Sequence, residues 1–113
     1  MYTKLGSIQP YWKSECGRAT IYVGNNLDIM PTLNAEQFHA VVTDPPYNLG
    51  FMSRDWDSVG NGKQYQQWLQ DRSTQILHLA KPGAHLLCFG GTRMYHRTAC
   101  AIEDSGFEIR RPT

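Results

Sequence analysis

Short apolar runs separated by polar turns recur along this chain. Residues 19–23 are rich in β-branched and aromatic side chains and predict a strand. The apolar runs at 38–43 and 84–89 predict two more strands, and residues 107–110 begin a fourth. The run at 38–43 is apolar at consecutive positions, as expected for a strand whose two faces are both covered. These runs therefore indicate a buried sheet.

Three stretches between and after these runs have the periodicity of helices. A short helix is predicted over 27–33, with Asn26 as its N-cap, and a long helix over 64–80, which Lys81-Pro82-Gly83 ends. A third helix is predicted to begin at Thr92, which would cap it. The residues predicted to face the core are Tyr65, Trp68, Leu69, Ile76, Leu77 and Ala80 in the long helix, and Met94, Thr98, Ala101, Ile102 and Ser105 in the third.

The alternation of strand and helix predicts an α/β fold with a mostly parallel sheet and right-handed crossovers. In such sheets ligands bind beyond the carboxyl ends of the strands. Two segments follow strands there: a long polar stretch over 44–62, and Gly90-Gly91. A loop as long as the first is usually functional, so the candidate site is expected at this edge of the sheet.

Length, charge and the N-terminus restrict the class of protein. The chain has 113 residues, which suffices for one domain, and a net charge of +1 does not favour a strongly basic nucleic-acid clamp. No apolar run approaches the roughly 18 residues that cross a bilayer. The first 18 residues carry charges and have no apolar centre, so we expect no secretory signal, no membrane contact and a cytoplasmic location.

Cysteine and histidine usage predicts no metal site. Cys16, Cys88 and Cys100 are odd in number and no pair has C-x-x-C spacing, so we interpret them as reduced, structural thiols. The histidines are scattered and form no cluster with the spacing of metal ligands.

The most specific motif is Asp44-Pro45-Pro46-Tyr47, directly after the apolar run at 38–43. This motif resembles the catalytic signature of the DNA amino-methyltransferases. These site-specific enzymes of bacteria and phages transfer a methyl group from S-adenosylmethionine to adenine N6 or cytosine N4. The resemblance covers about residues 19–110. It is carried by DPPYNLGF at 44–51, Trp56-Asp57, Lys81-Pro82-Gly83 and FGGTRMYHRTACAIEDSGFEI at 89–109.

The chemistry of amino methylation explains these residue types. An exocyclic amine is a poor nucleophile because its lone pair is delocalised into the ring. The Asp44 carboxylate is an acceptor for one amine hydrogen, and the resemblance implies that the Pro45 carbonyl accepts the other. Pro45 and Pro46 restrict two φ angles, and Tyr47 offers an aromatic face to a base flipped out of the duplex. Aspartate before Pro-Pro-Tyr resembles the adenine enzymes, so adenine N6 is the expected target.

Other positions have both a functional and a structural interpretation. The segment Phe89-Gly90-Gly91 resembles the family's target-base pocket. The alternative interpretation is a simple strand-to-helix turn. Trp56 is either a substrate-loop residue or an anchor for an exposed loop. Asn25 lies where related enzymes often carry an aspartate that contacts the cofactor, but Gly-Asn is equally typical of a plain turn.

The family's glycine-rich cofactor loop, Phe-x-Gly-x-Gly, does not occur in these 113 residues. The order of motifs resembles the permuted β class, in which that loop follows the recognition region. We therefore expect a partial Rossmann-like, S-adenosylmethionine-dependent methyltransferase fold, truncated at its C-terminus, with residues 1–18 an N-terminal extension and 19–113 the partial catalytic domain.

Three hypotheses follow for the function. The first is a segment of a DNA adenine methyltransferase with DNA as its partner, in a bacterial cell or a phage-infected host. The second is an inactive remnant, or a split subunit that needs a companion chain bearing the cofactor loop; a homodimer would also cover truncated sheet edges. The third is methylation of RNA or protein, where asparagine is commoner at the position of Asp44.

Overall fold

The computed structural model describes residues 8–46 and 60–110, which form an α/β arrangement. The elements in chain order are β1 (Trp12–Lys13), β2 (Thr20–Ile21), α1 (Asn26–Ile29), a 3-10 turn (Met30–Thr32), β3 (Phe38–Thr43), α2 (Gly62–Leu79), β4 (Ala80–Cys88), a second 3-10 turn (Thr92–Met94) and α3 (Tyr95–Asp104). No helix in these two ranges is long and apolar enough to span a membrane.

The N-terminal strands form a hairpin of their own. β1 pairs antiparallel with β2, with Trp12 opposite Ile21, and the Ser14 hydroxyl accepts a hydrogen bond from the Ala19 amide at 3.0 Å. Gly17 has a φ of 75°, a conformation that favours glycine and lets the chain reverse. The prediction of a strand over 19–23 in the parallel sheet was therefore wrong, because its ladder partner is local.

The first helix is capped one residue earlier than predicted. Asn25, not Asn26, is the N-cap: its Oδ1 accepts a hydrogen bond from the Leu27 amide at 2.9 Å. The α-helix ends at Ile29 and continues as the 3-10 turn, with a proline at the start of that turn. Both asparagines are suitable caps, so which of them serves depends on the path of the chain after β2.

The parallel pair of strands confirms the central prediction of the sheet. β3 has the predicted bounds and pairs in parallel with β4, from Ala40 beside His85 to Thr43 beside Cys88. β4 begins at Ala80 rather than 84, because Pro82 and Gly83 lie in an irregularity that interrupts the ladder instead of preceding it. Pro82 lacks the N–H that a regular ladder needs.

The expectation that β3 is covered on both faces was wrong for the described residues. Val42 is 66% exposed and its neighbour in register, Leu87, is 56% exposed. The two side chains lie on the same face of the sheet, because register partners on adjacent strands point to the same side. In the described ranges this sheet has two strands, and one face remains open.

The core lies between α2 and α3. Tyr65, Leu69, Met94 and Ala101 form a buried cluster, with Trp68 packed against it, as predicted for these residues. The α2 face differs further along, where Ser73 is buried and Leu77 is exposed. The buried positions Tyr65, Leu69 and Ser73 follow a four-residue spacing, so Ser73 lies within the buried stripe of α2 although its side chain is polar.

Both ends of α3 differ from the prediction. Thr92 begins a 3-10 turn and does not cap the helix through its side chain, and the α-helix starts at Tyr95. Residues 107–110 form no strand, because among the described residues no neighbouring strand lies beside them to complete a ladder. The predicted buried positions are confirmed at Met94 in the second 3-10 turn and at Thr98, Ala101 and Ile102 on α3.

Candidate functional site

The ends of the two parallel strands bring the motif residues together. The Phe89 amide donates a hydrogen bond to the Thr43 carbonyl at 3.0 Å, one step beyond the pairing of Thr43 with Cys88. Asp44 and Gly90 are the next residues of their two segments. The residues 44–46 and 89–91 therefore leave the same edge of the sheet side by side, although they are about 45 residues apart in the sequence.

Asp44 acts electrostatically on a thiol at this edge. Burial, and then the negative charge of Asp44, raise the pKa of Cys88 to about 11. The Cys88 thiol donates a weak hydrogen bond to the Phe89 carbonyl, with Sγ and O separated by 3.6 Å. Cys88 is therefore a neutral thiol beside the carboxylate. Sequence reasoning treated it only as a structural cysteine, although its place directly before Phe89 was a signal of proximity.

Pro46 is tied to the helical core. The Tyr65 hydroxyl donates a hydrogen bond to the Pro46 carbonyl at 2.7 Å. Tyr65 is 1% exposed, and a buried tyrosine hydroxyl usually has a partner. Sequence analysis placed Tyr65 in the core and missed this contact, since nothing in the local pattern identifies a partner 19 residues away.

The glycine pair after β4 lies over α3. A Cβ built on Gly90 would lie 3.8 Å from Oγ1 of Thr98, which is ordinary van der Waals contact. Neither Gly90 nor Gly91 has a positive φ, so the backbone conformation alone does not require glycine at either position. Thr98 Oγ1 is buried and has no hydrogen-bond partner among the described residues.

Among the described residues, Asn25 is the predicted site residue that does not lie at this edge of the sheet. Asn25 lies in the exposed turn after the hairpin and uses its side-chain oxygen to cap α1, which favours the plain-turn interpretation. A cofactor contact for Asn25 stays a prediction. Tyr47 and Trp56 lie outside the described residues.

The arrangement offers hydrogen-bond acceptors on a restrained backbone. Asp44 contributes a carboxylate and Pro45 a carbonyl oxygen, whereas the Pro46 carbonyl accepts the hydrogen bond from Tyr65. Neither proline has an N–H group that would compete. The three residues follow a strand whose end is hydrogen-bonded to its neighbour. Such a group can hold the hydrogens of an amine, because preorganised acceptors need little rearrangement when charge develops.

Comparison with known proteins shows the family to which this chain belongs. A family model described as DNA methylase matches residues 38–112, from the first residue of β3 to beyond α3. This chain belongs to the DNA methylase family. The match includes both strand ends, and it confirms the family resemblance expected from the sequence.

Two curated relatives are similar over most of the chain. The putative methylase YubD of Escherichia coli (strain K12) is 27% identical over 86 residues, which are 76% of this chain and 37% of YubD. The type II methyltransferase M.HindIII of Haemophilus influenzae is 23% identical over an alignment of 126 positions, covering 80% of this chain and 40% of M.HindIII. The chain therefore spans about two fifths of the length of these relatives.

Proposed function

We propose that this chain carries the base-holding part of an S-adenosylmethionine-dependent DNA methyltransferase whose target is adenine N6. One observation carries the proposal. Asp44, Pro45 and Pro46 leave the carboxyl end of β3 beside Phe89 and Gly90 at the end of β4, inside the segment that matches the DNA methylase family. In this proposal β3 and β4 are adjacent strands of a Rossmann-like sheet, where ligands bind at such strand ends.

The residues of this chain would act on the target amine. The Asp44 carboxylate accepts one amine hydrogen and the Pro45 carbonyl accepts the other, which favours a tetrahedral nitrogen with an exposed lone pair. Tyr47 stacks on the extrahelical base, an interaction worth roughly 1–3 kcal/mol. Phe89, Gly90, Gly91 and Trp56 line the pocket for that base. The proton leaves after the nitrogen becomes cationic, so Asp44 need not remove it beforehand.

The methyl donor is the second substrate. Membership of the DNA methylase family implies S-adenosylmethionine, which supplies an electrophilic methyl group. Asn25 has the only side chain that we assigned to the donor, and its oxygen is engaged in capping α1. We therefore propose that S-adenosylmethionine binds to residues of a companion chain or segment that bears a glycine-rich loop. DNA is the proposed partner, and the cytoplasm is the proposed location.

A dependent subunit is the second candidate function. The exposed face at Val42 and Leu87 favours a chain that needs a companion. Titration calorimetry with S-adenosylmethionine distinguishes the two. Saturable binding to the chain alone supports an autonomous enzyme. No binding by a folded sample supports a split subunit or an inactive remnant. Methylation restored by a companion that bears the loop would then indicate a split subunit, and no methylation would indicate a remnant.

The test of the proposal is transfer of labelled methyl from S-adenosylmethionine to DNA, with the modified base identified after hydrolysis. Asp44→Ala and Asp44→Asn should abolish transfer, because each removes the carboxylate acceptor. Asp104→Asn is the matched control, since Asp104 is an exposed carboxylate at the far end of α3 from the site. Transfer by Asp44→Ala at the wild-type rate would refute the role of Asp44, and N4-methylcytosine as the product would refute the adenine target.

The same assay separates the ring of Tyr47 from its hydroxyl. Tyr47→Phe keeps the aromatic face and should lower the rate only mildly, whereas Tyr47→Ala should be severe because stacking is lost. Equal losses in the two variants would mean that the hydroxyl, not the ring, acts on the substrate.

A further inference from the structure

The segment 44–46 has few ways to be held in place. Pro45 and Pro46 have no N–H group, so two of its three residues can form backbone hydrogen bonds only through their carbonyl oxygens. The segment follows Thr43 at the end of β3, and the Thr43 carbonyl accepts a hydrogen bond from the backbone N–H of Phe89 at 3.0 Å. On the other side the Pro46 carbonyl accepts the Tyr65 hydroxyl at 2.7 Å. These two hydrogen bonds hold the residues directly before and directly after Asp44 and Pro45.

The donor of the second contact is itself rigidly placed. Tyr65 is buried in a cluster with Leu69, Met94 and Ala101. Its ring stacks on Trp68, with the ring centroids 6.2 Å apart and the planes inclined by 15°. Tyr65 also lies in the first turns of α2, and its hydroxyl therefore has the position that the packing of α2 against α3 gives it.

A cap immediately before Tyr65 restrains the start of that helix. The Asn61 side-chain oxygen accepts a hydrogen bond from the backbone N–H of Gln64 at 2.9 Å. The Gln64 side-chain oxygen accepts one from the backbone N–H of Asn61 at 2.8 Å. This reciprocal pair satisfies two otherwise unpaired N–H groups of the first turn. The helix start that carries Tyr65 is thus ordered from both sides, by the cap and by the core.

We infer that Tyr65 is a positioning residue, which holds the Asp-Pro-Pro segment against the helical core through the Pro46 carbonyl. What Asp44 does once positioned rests on the proposed function. The bond uses the carbonyl of Pro46, so the Asp44 carboxylate and the Pro45 carbonyl are not consumed by it. Tyr65 acts on the substrate only through this segment, and it differs from the rest of the core cluster in carrying a hydroxyl that reaches a site residue.

The kinetic test compares Tyr65→Phe with Leu69→Val in the full chain, with its companion if transfer requires one. Phenylalanine keeps the ring in the core and removes only the donor. Leu69→Val removes one methylene from the same cluster on the same helix and leaves Pro46 untouched. At a temperature where both variants are fully folded, Tyr65→Phe should lower kcat about ten- to a hundredfold, since small misplacements of reacting groups have effects of this size.

The KM for the methyl donor should be unchanged in both variants, and Leu69→Val should keep kcat within about twofold of wild type, since a packing loss alone misplaces no reacting group. A kcat for Tyr65→Phe equal to that of Leu69→Val would overturn the inference, because the core rather than the hydroxyl would then control the site.

A second measurement tests the anchor without any activity. The carbonyl carbon of Pro46 is observed by triple-resonance NMR through the amide of Tyr47 in uniformly labelled chain. Loss of the hydrogen bond in Tyr65→Phe should move this resonance upfield and shift the amide of Asp44, whereas Leu69→Val should move neither. Unchanged Pro46 and Asp44 resonances in Tyr65→Phe would overturn the inference.

The two measurements also separate this inference from the proposed function. If the wild-type chain transfers no methyl in any combination but the Pro46 resonance moves in Tyr65→Phe, the proposed function fails and the anchor stands. If the wild type transfers methyl and Tyr65→Phe changes neither kcat nor the resonance, the anchor fails and the proposed function stands.

Discussion

The reactivity of Cys88 tests the geometry of the strand ends without relying on catalysis. Burial, and then the charge of Asp44, raise the pKa of this thiol to about 11 from an ordinary value of 9.0. At pH 9 about 1% of Cys88 is then thiolate, against about half of an ordinary thiol, and only the thiolate is alkylated at an appreciable rate. We therefore expect Cys88 to react roughly fiftyfold more slowly at this pH than an unperturbed cysteine.

Replacement of Asp44 changes one of these two causes and leaves the other. Asp44→Asn removes the negative charge and keeps the burial, so the pKa of Cys88 should fall and yet remain above its ordinary value. Because a lower pKa means more thiolate at a given pH, the alkylation profile of Cys88 should move to lower pH. Asp104→Asn removes an equal charge at the far end of α3 and should leave the profile in place.

The assay is alkylation by iodoacetamide between pH 7 and 11, with each cysteine followed by peptide mass spectrometry. Cys16 and Cys100 are exposed and serve as internal references. The hydrogen bond with Ser14 lowers the pKa of Cys16, so Cys16 should react at a lower pH than Cys88.

The result that would refute this reasoning is an identical Cys88 profile in wild type and Asp44→Asn. With the Cys16 profile unchanged in the same samples, that result would show that the Asp44 carboxylate does not lie beside the thiol.

Three further predictions concern stability, measured by urea unfolding of the purified chain. Asn61→Ala should lower the free energy of unfolding by about 1 kcal/mol because it removes the cap of α2, whereas Asn61→Asp keeps an acceptor and should retain most of it; equal losses would contradict the capping role. Thr98→Val should raise stability by about 1 kcal/mol, since its buried hydroxyl has no partner in residues 8–46 and 60–110, and a decrease would mean that the hydroxyl is bonded in solution. Gly106→Ala should cost about 1–3 kcal/mol, because Gly106 has a φ of 117° and a Cβ there would lie 2.8 Å from Leu77 Cδ2; full recovery in a Leu77→Ala background would show that the contact, not the backbone, is responsible.

Local patterns in the sequence predicted the elements that carry their own signals. The strand at 38–43 was recoverable from its apolar, β-branched run, and the buried face of α3 was recoverable because helical periodicity reports which face is buried. The bounds of α2 were close for the same reason. Its cap at Asn61 was not predicted, although asparagine followed by glutamine three residues later is a signal for such a cap. The Asp-Pro-Pro-Tyr motif also identified the DNA methylase family from the residues alone.

Other features depended on partners that no local pattern contains. The run at 19–23 has the composition of a strand, but composition does not reveal whether a ladder forms with a nearby segment or with the main sheet. Exposure of Val42 and Leu87 likewise depends on what covers the sheet, so an apolar strand was mistaken for one covered on both faces.

The site shows the same division. The identity of Asp44, Pro45 and Pro46 was evident from the motif, and so was their place after a strand. The charge of Asp44 beside the Cys88 thiol, and the Tyr65 hydroxyl on the Pro46 carbonyl, arise from strand register and helix packing between segments far apart in the chain. Hydrogen bonds and charges act over a few ångströms of space, whereas sequence patterns report neighbours along the chain, and only folding converts one kind of proximity into the other.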